Sequence, residues 1–179
     1  MPRFGRVLRV GPYAEPLRQA VHRMKYRTGA RPCGDLARLL AERIAADCDA
    51  DAFDVVLAVP MHWLRRLARG RNHSRELAAG VAARLAMPMG EELVRIRNTP
   101  PQVNLPASRR AANVRGAFAV TRARSIQAAH VLLVDDVITT GATANEAART
   151  LLAAGAVRVT VGVLAKTEPP TAYSRQLQS

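Results

Sequence analysis

Apolar residues recur at helical spacing in four stretches of this chain. Residues 14–27 carry Leu17, Val21 and Met24. Residues 34–47 carry Leu36, Leu39, Leu40 and Ile44, and residues 74–86 carry Leu77, Val81 and Leu85. Residues 144–154 carry Ala144, Ala147, Ala148, Leu151 and Leu152, followed by Gly155 as a helix C-cap. Between these stretches lie continuous apolar runs rich in β-branched residues: Phe53 to Val59, ended by Pro60; Val131 to Val134; and Val157 to Leu164. Such runs predict parallel strands buried on both faces. A weaker strand is predicted over 92–96, and the basic stretch 62–70 is predicted to be helical. Strand, loop, helix and strand over 131–164 make a βαβ unit, whose crossover is right-handed. The pattern predicts an α/β fold: an open, mainly parallel sheet with helices on both faces.

One segment breaks the pattern. Residues 97–117 hold three prolines, three asparagines and four arginines, which predicts a long loop with one short helix near 107–113. Structureless loops of this length inside a compact domain usually serve a function or are disordered.

Composition narrows the classes. The 179 residues are 49% apolar and 23% charged, which is globular composition. The net charge is +13, and only Lys25 and Lys166 among the 27 basic residues are lysine. Guanidinium forks match phosphate and carboxylate geometry, so the surface suits polyanions. A compositional bias toward arginine in a GC-rich genome would give the same count. Cys33 and Cys48 are single and far apart. The absence of a CxxC pair argues against structural zinc, and two lone thiols suit a reducing compartment. The first residues lack the apolar run of about seven that a secretory signal needs. Nothing approaches the roughly 18 apolar residues of a membrane span. A cytoplasmic location without membrane insertion is expected.

The chemistry concentrates in Asp135-Asp136-Val137-Ile138-Thr139-Thr140-Gly141-Ala142-Thr143. Two carboxylates sit at the end of a buried strand, where open α/β sheets bind ligands. Adjacent carboxylates repel unless a cation or hydroxyl donors lie nearby, and a ribose diol supplies such donors. A loop of small and hydroxylated residues then feeds a helix N-terminus, whose backbone N–H groups and dipole favour a phosphate. Thr and Gly before a helix are also ordinary capping residues, and Asp is common in loops. The combined string is more specific than either half. It is neither a GxxxxGK[ST] loop nor a GxGxxG fingerprint.

The string VLLVDDVITTGAT resembles the phosphoribosyl-pyrophosphate (PRPP) motif of type I phosphoribosyltransferases. Further stretches resemble one branch, the ComF family of amidophosphoribosyltransferase-like proteins, linked by name to bacterial competence. These are Tyr13 to Arg18, His22 to Arg27, Val59 to Arg66, Arg69 to Asn72, Thr99 to Gln102 and Arg109 to Phe118. The resemblance covers about residues 12–166. It implies a small N-terminal helical hood over 1–50, a phosphoribosyltransferase core over 51–167 and a flexible tail over 168–179.

The resemblance also implies roles. Asp135 and Asp136 would contact the ribose hydroxyls, with Mg2+ held near them through PRPP rather than by direct ligation. Val137 and Ile138 would belong to the PRPP-binding stretch, and the loop Thr139, Thr140, Gly141, Ala142 and Thr143 would hold the 5-phosphate. Pro60, Met61 and His62, with Arg65 and Arg66, would form the pyrophosphate loop. The segment 99–116, with Gln102, Arg109, Arg110, Asn113 and Arg115, would close over the site, Arg109 and Arg110 neutralising the leaving group. Trp63 is expected in the core, and Lys25 is a candidate without an assigned role. Two departures stand out. The Cys-rich zinc ribbon with which members commonly begin has no counterpart here, and Gly70-Arg71-Asn72-His73 stands where Gly-Phe-Asn-Gln is usual.

Three functions fit. The first is an enzyme of nucleotide metabolism that moves phosphoribosyl to a nitrogen acceptor, as a monomer or homodimer. The second is a non-catalytic competence protein that binds single-stranded DNA or a DNA-processing partner, with PRPP as a regulatory ligand. The third is a PRPP- or nucleotide-sensing regulator. Scarce aromatics, 4% of residues, leave few stacking platforms for the second.

Overall fold

The computed structural model describes residues 2–26, 31–49, 52–61, 72–99 and 106–167. Among them, β1 (Arg6–Pro12), β2 (Val55–Ala58), β3 (Met89–Gly90), β6 (His130–Ile138) and β7 (Arg158–Lys166) form one sheet. The order is β1-β7-β6-β2-β3, and every neighbouring pair is parallel. The short strands β4 (Leu93–Arg95) and β5 (Phe118–Val120) make a separate antiparallel pair. The helices are α1 (Leu17–Tyr26), α2 (Arg31–Asp47), α3 (His73–Arg84), α4 (Ala107–Val114) and α5 (Ala142–Ala153).

Side-chain alternation along β6 explains the layers. Val131 and Leu133 point to one face, Leu132 and Val134 to the other. The first face is covered by Ala144, Ala147, Ala148 and Leu151 of α5, with Val114 and Phe118. The second is covered by Val21 and Met24 of α1, Leu36, Leu40 and Ile44 of α2, and Leu77 and Val81 of α3. Residues 36, 40 and 44 recur every four positions, so α2 lies flat on the sheet, while Leu39 falls off this stripe and is exposed. Gly80 lets α3 approach α2: a Cβ there would stand 2.6 Å from Ala37 Cβ.

Three predicted features change. The N-terminal region is not a helical hood throughout, because Arg6–Pro12 is an edge strand of the main sheet, paired with β7, and α2 packs on that sheet. The strand predicted at 131–134 runs on to Ile138, since β7 keeps pairing with it through Val137↔Ala165 and Ile138↔Lys166. β2 pairs with β6 only as far as Ala58↔Val134. The segment 97–117 contains the expected short helix, α4, and leads into the unpredicted β5. The basic stretch 62–70, Trp63 and the tail from 168 lie outside the described residues. No helix among the described residues is long and apolar enough to cross a membrane.

Leu132 is fully buried in a central strand between α2 and α3. Leu132→Ala is expected to cost about 2–5 kcal/mol in urea-unfolding free energy. A cost below about 1 kcal/mol would contradict this packing.

Candidate functional site

The connections out of β2 and β6 run in opposite directions. From β2 the chain passes through α3 on one face to β3; from β6 it passes through α5 on the other face to β7. A crevice opens where such directions part, beyond the carboxyl ends of the strands. Here that point lies between β2 and β6. Pro60 and Met61 follow β2, and Asp135 and Asp136 lie on β6 just past the last residue paired with β2. The step between a short β2 and a long β6 leaves both carboxylates beside the crevice.

Each carboxylate has its own partners. Asp135 Oδ1 accepts hydrogen bonds from Ser74 Oγ at 2.8 Å and from the Asp136 backbone N–H at 2.9 Å. Asp136 Oδ1 accepts the Val137 N–H at 2.6 Å, and its Oδ2 meets Lys25 Nζ at 2.7 Å. Ser74 comes from the first turn of α3 and Lys25 from the last turn of α1. Burial, and then the neighbouring Asp136 charge, push the Asp135 carboxyl up from its ordinary 3.8 to about 7. The Ser74 hydrogen bond and the Lys25 charge pull the other way without cancelling the shift.

Downstream, Ile138 ends β6 and Gly141 turns the chain into α5. Gly141 has φ +77°, a left-handed conformation that a side chain would strain. Thr139, Thr140, Gly141, Ala142 and Asn145 line a cavity of about 540 Å3, with Lys166 at the end of β7 on its wall. The loop thus lines a hollow at a helix N-terminus, with Phe4 and Ala111 on its other walls. Arg110 reaches it: its Nη1 donates to Thr139 Oγ1 at 3.0 Å. Arg109 and Arg115 are exposed, Arg115 at the C-terminal end of α4. Asn113 lies on α4, partly buried. Pro60 and Met61 line a second cavity of about 470 Å3 with Arg75 and Arg95.

The geometry therefore joins Asp135 to Asp136 and Arg110 to Thr139, the two pairs lying at the two ends of the stretch that leads from β6 into α5. His62, Arg65, Arg66 and Gln102 lie outside the described residues. In the Gly70-Arg71-Asn72-His73 departure, Asn72 caps α3 by accepting the Arg75 N–H at 3.3 Å, and His73 is buried. Two residues escaped sequence reasoning. Ser74 reads as an ordinary residue at a helix start. Glu146 reads as a surface helix position, yet it is buried and accepts the Gly116 N–H at 2.6 Å and Arg149 at 2.8 Å. It ties the end of the segment 97–117 to the helix behind the loop. Its carboxyl is held below the ordinary value, first by the Arg149 hydrogen bond. Rarity in the chain was the signal for Lys25. Among the described residues no cluster of His, Cys, Asp or Glu is arranged to hold a metal ion.

A family model described as the phosphoribosyl transferase domain matches residues 71–176. The DNA utilization protein YhgH of Salmonella typhi is 32% identical over 170 residues, covering 93% of this chain and 74% of that protein. Competence protein F of Haemophilus influenzae is 31% identical over 170 residues, covering 92% and 74%. The chain belongs to the ComF family. Its fold is that of type I phosphoribosyltransferases. The glutamine PRPP amidotransferase of B. subtilis, in complex with ADP and GMP, superposes with a TM-score of 0.52 at 22% identity. This chain spans 31% of that protein's length, and 86% of this chain is covered. Residues of three ComF stretches are thus placed near the strand ends: Lys25 of the second meets Asp136, Pro60 and Met61 of the third line a cavity, and Arg110 of the last reaches Thr139.

The Asp135 shift has a direct consequence. The folded protein keeps a proton on Asp135 at pH values where the unfolded chain has released it. Its contribution to stability is present below about pH 4 and is lost as pH rises through 7. Across that window the ligand-free protein should lose more unfolding free energy than Asp135→Asn, measured by urea denaturation. Parallel pH profiles would contradict the shift.

Proposed function

We propose that this ComF protein binds PRPP in the crevice between β2 and β6 and transfers its phosphoribosyl group to a nitrogen acceptor, releasing pyrophosphate. The observation that carries the reading is the spacing along one continuous piece of chain. Two carboxylates near the end of β6 are followed, within a few residues, by a hydroxyl-rich loop and the N-terminus of α5. A ribose diol and a 5-phosphate present the complementary groups.

Asp135 and Asp136 would accept the ribose 2- and 3-hydroxyls. Thr139 to Thr143 would bind the 5-phosphate through backbone N–H groups and hydroxyls. Mg2+ would arrive on the pyrophosphate. The donor set suits that route, since Lys25 already occupies one oxygen of Asp136, leaving the carboxylates better placed for an ion held through ligand and water than for direct ligation. In the transfer, the bond from the anomeric carbon to pyrophosphate breaks with its electron pair leaving on oxygen. The nitrogen lone pair forms the new bond, and its proton goes to solvent or to the leaving group. The protein's part is positioning and electrostatic stabilisation. Arg110, already over the loop, and Arg109 would neutralise the departing charge, with closure of the segment 99–116 excluding water.

A second reading rests on the net charge of +13 and on the names of the relatives, which speak of DNA utilization and competence. Single-stranded DNA or a competence partner would then be bound on the basic surface, with PRPP as a regulatory ligand. The two readings are compatible. They separate by salt: polyanion binding falls steeply as salt rises.

Asp135→Asn with Asp136→Asn should weaken Mg-PRPP binding by at least about a hundredfold, on the basis of two hydrogen bonds to charged acceptors. The fold should persist. Calorimetric titration checks this, and undiminished binding by the folded double variant would refute the site. Pyrophosphate release across a panel of ammonia and nucleobase acceptors then tests catalysis.

A further inference from the structure

We infer that Lys25 and Ser74 are positioning residues that confer selectivity for a vicinal diol, so the crevice distinguishes ribose from deoxyribose phosphates. This deepens the PRPP reading and rests on it.

Lys25 and Ser74 come from different helices and act on different carboxylates. Val21 and Met24 are buried and fix α1 on the sheet, which delivers Lys25 from the last turn to Asp136 Oδ2 at 2.7 Å. Leu77 and Val81 fix α3 in the same way, which delivers Ser74 to Asp135 Oδ1 at 2.8 Å. Backbone N–H groups complete the hold: Asp136 N–H on Asp135 Oδ1, and Val137 N–H on Asp136 Oδ1. Among the described residues every hydrogen bond to Asp135 therefore falls on Oδ1. Among the described residues its Oδ2 takes no hydrogen bond, and once its proton has left above about pH 7 it can accept from a ligand hydroxyl. Asp136 has one oxygen on the backbone and the other on Lys25, which leaves a lone pair of Oδ2 for a second hydroxyl.

Two adjacent carboxylates would otherwise turn apart or share a proton. A pair locked in register accepts two neighbouring hydroxyls together, and an isolated hydroxyl gains only half of the bonds. Lys25 is partly buried, with 30% of its side chain exposed, and Asp136 has 18%. The ammonium thus works in a partly dry setting, where a charge pair holds geometry better than at the open surface.

The test uses the full chain with ribose 5-phosphate, 2-deoxyribose 5-phosphate and inorganic phosphate, each titrated by calorimetry. The wild type should prefer ribose 5-phosphate over the deoxy sugar by about tenfold, the worth of one hydrogen bond to a charged group. In Lys25→Met and in Ser74→Ala the ratio should fall to about threefold or less, with inorganic phosphate binding unchanged. Lys25→Arg and Ser74→Thr should restore a preference. A wild-type preference that both variants keep overturns this inference alone. So does an equal loss for both sugars and phosphate, which marks a purely structural role. A wild-type ratio near one overturns the diol reading beneath it as well.

Discussion

Two negative charges on consecutive residues at the end of a buried strand are the constraint around which this molecule is arranged. Asp135 and Asp136 repel each other in a place where water screens them poorly. The fold answers with a serine from α3, an ammonium from α1 and two backbone N–H groups. The answer is partial, because Asp135 still holds its proton up to about 7. The proposed ligand, which brings hydroxyl donors and a metal-bound pyrophosphate, would complete what the protein leaves undone.

The sheet makes that arrangement possible. Because β2 stops opposite Val134 while β7 accompanies β6 to Ile138, the carboxylates are supported on one side and open on the other. Because α3 and α5 leave on opposite faces, their N-termini converge on the crevice from two sides. One brings Ser74, the other the hydroxyl-rich loop. Two bonds then link the C-terminal half of the segment 97–117 to the loop and helix that follow β6: Arg110 holds Thr139, and Glu146 holds Gly116. The segment proposed to close over the ligand is already tethered to the loop that would carry the phosphate.

Much of this was legible in the sequence. The helical stripes and apolar runs marked α1, α2, α3, α5, β2, β6 and β7, and the DDVITTGAT string marked the carboxylates and the loop. What escaped had physical reasons. In β1, Arg6, Arg9, Gly11 and Pro12 interrupt the apolar pattern, as an edge strand that faces water permits. β5 is only three residues long. The end of β6 was hidden because charged residues read as loop, although ladder hydrogen bonds do not depend on side-chain polarity. Ser74, Lys25 and Glu146 act through partners 61, 111 and 30 positions away in the chain, and such pairings are created by the fold.

The central claim is that one crevice holds a ribose by its diol and its phosphate together. A crystal structure of the protein with Mg-PRPP tests it most directly. The account predicts ribose hydroxyls on Asp135 and Asp136 and the 5-phosphate against Thr139 to Thr143, with Lys25 still beside Asp136. PRPP bound elsewhere on the basic surface, with both carboxylates untouched, would contradict it.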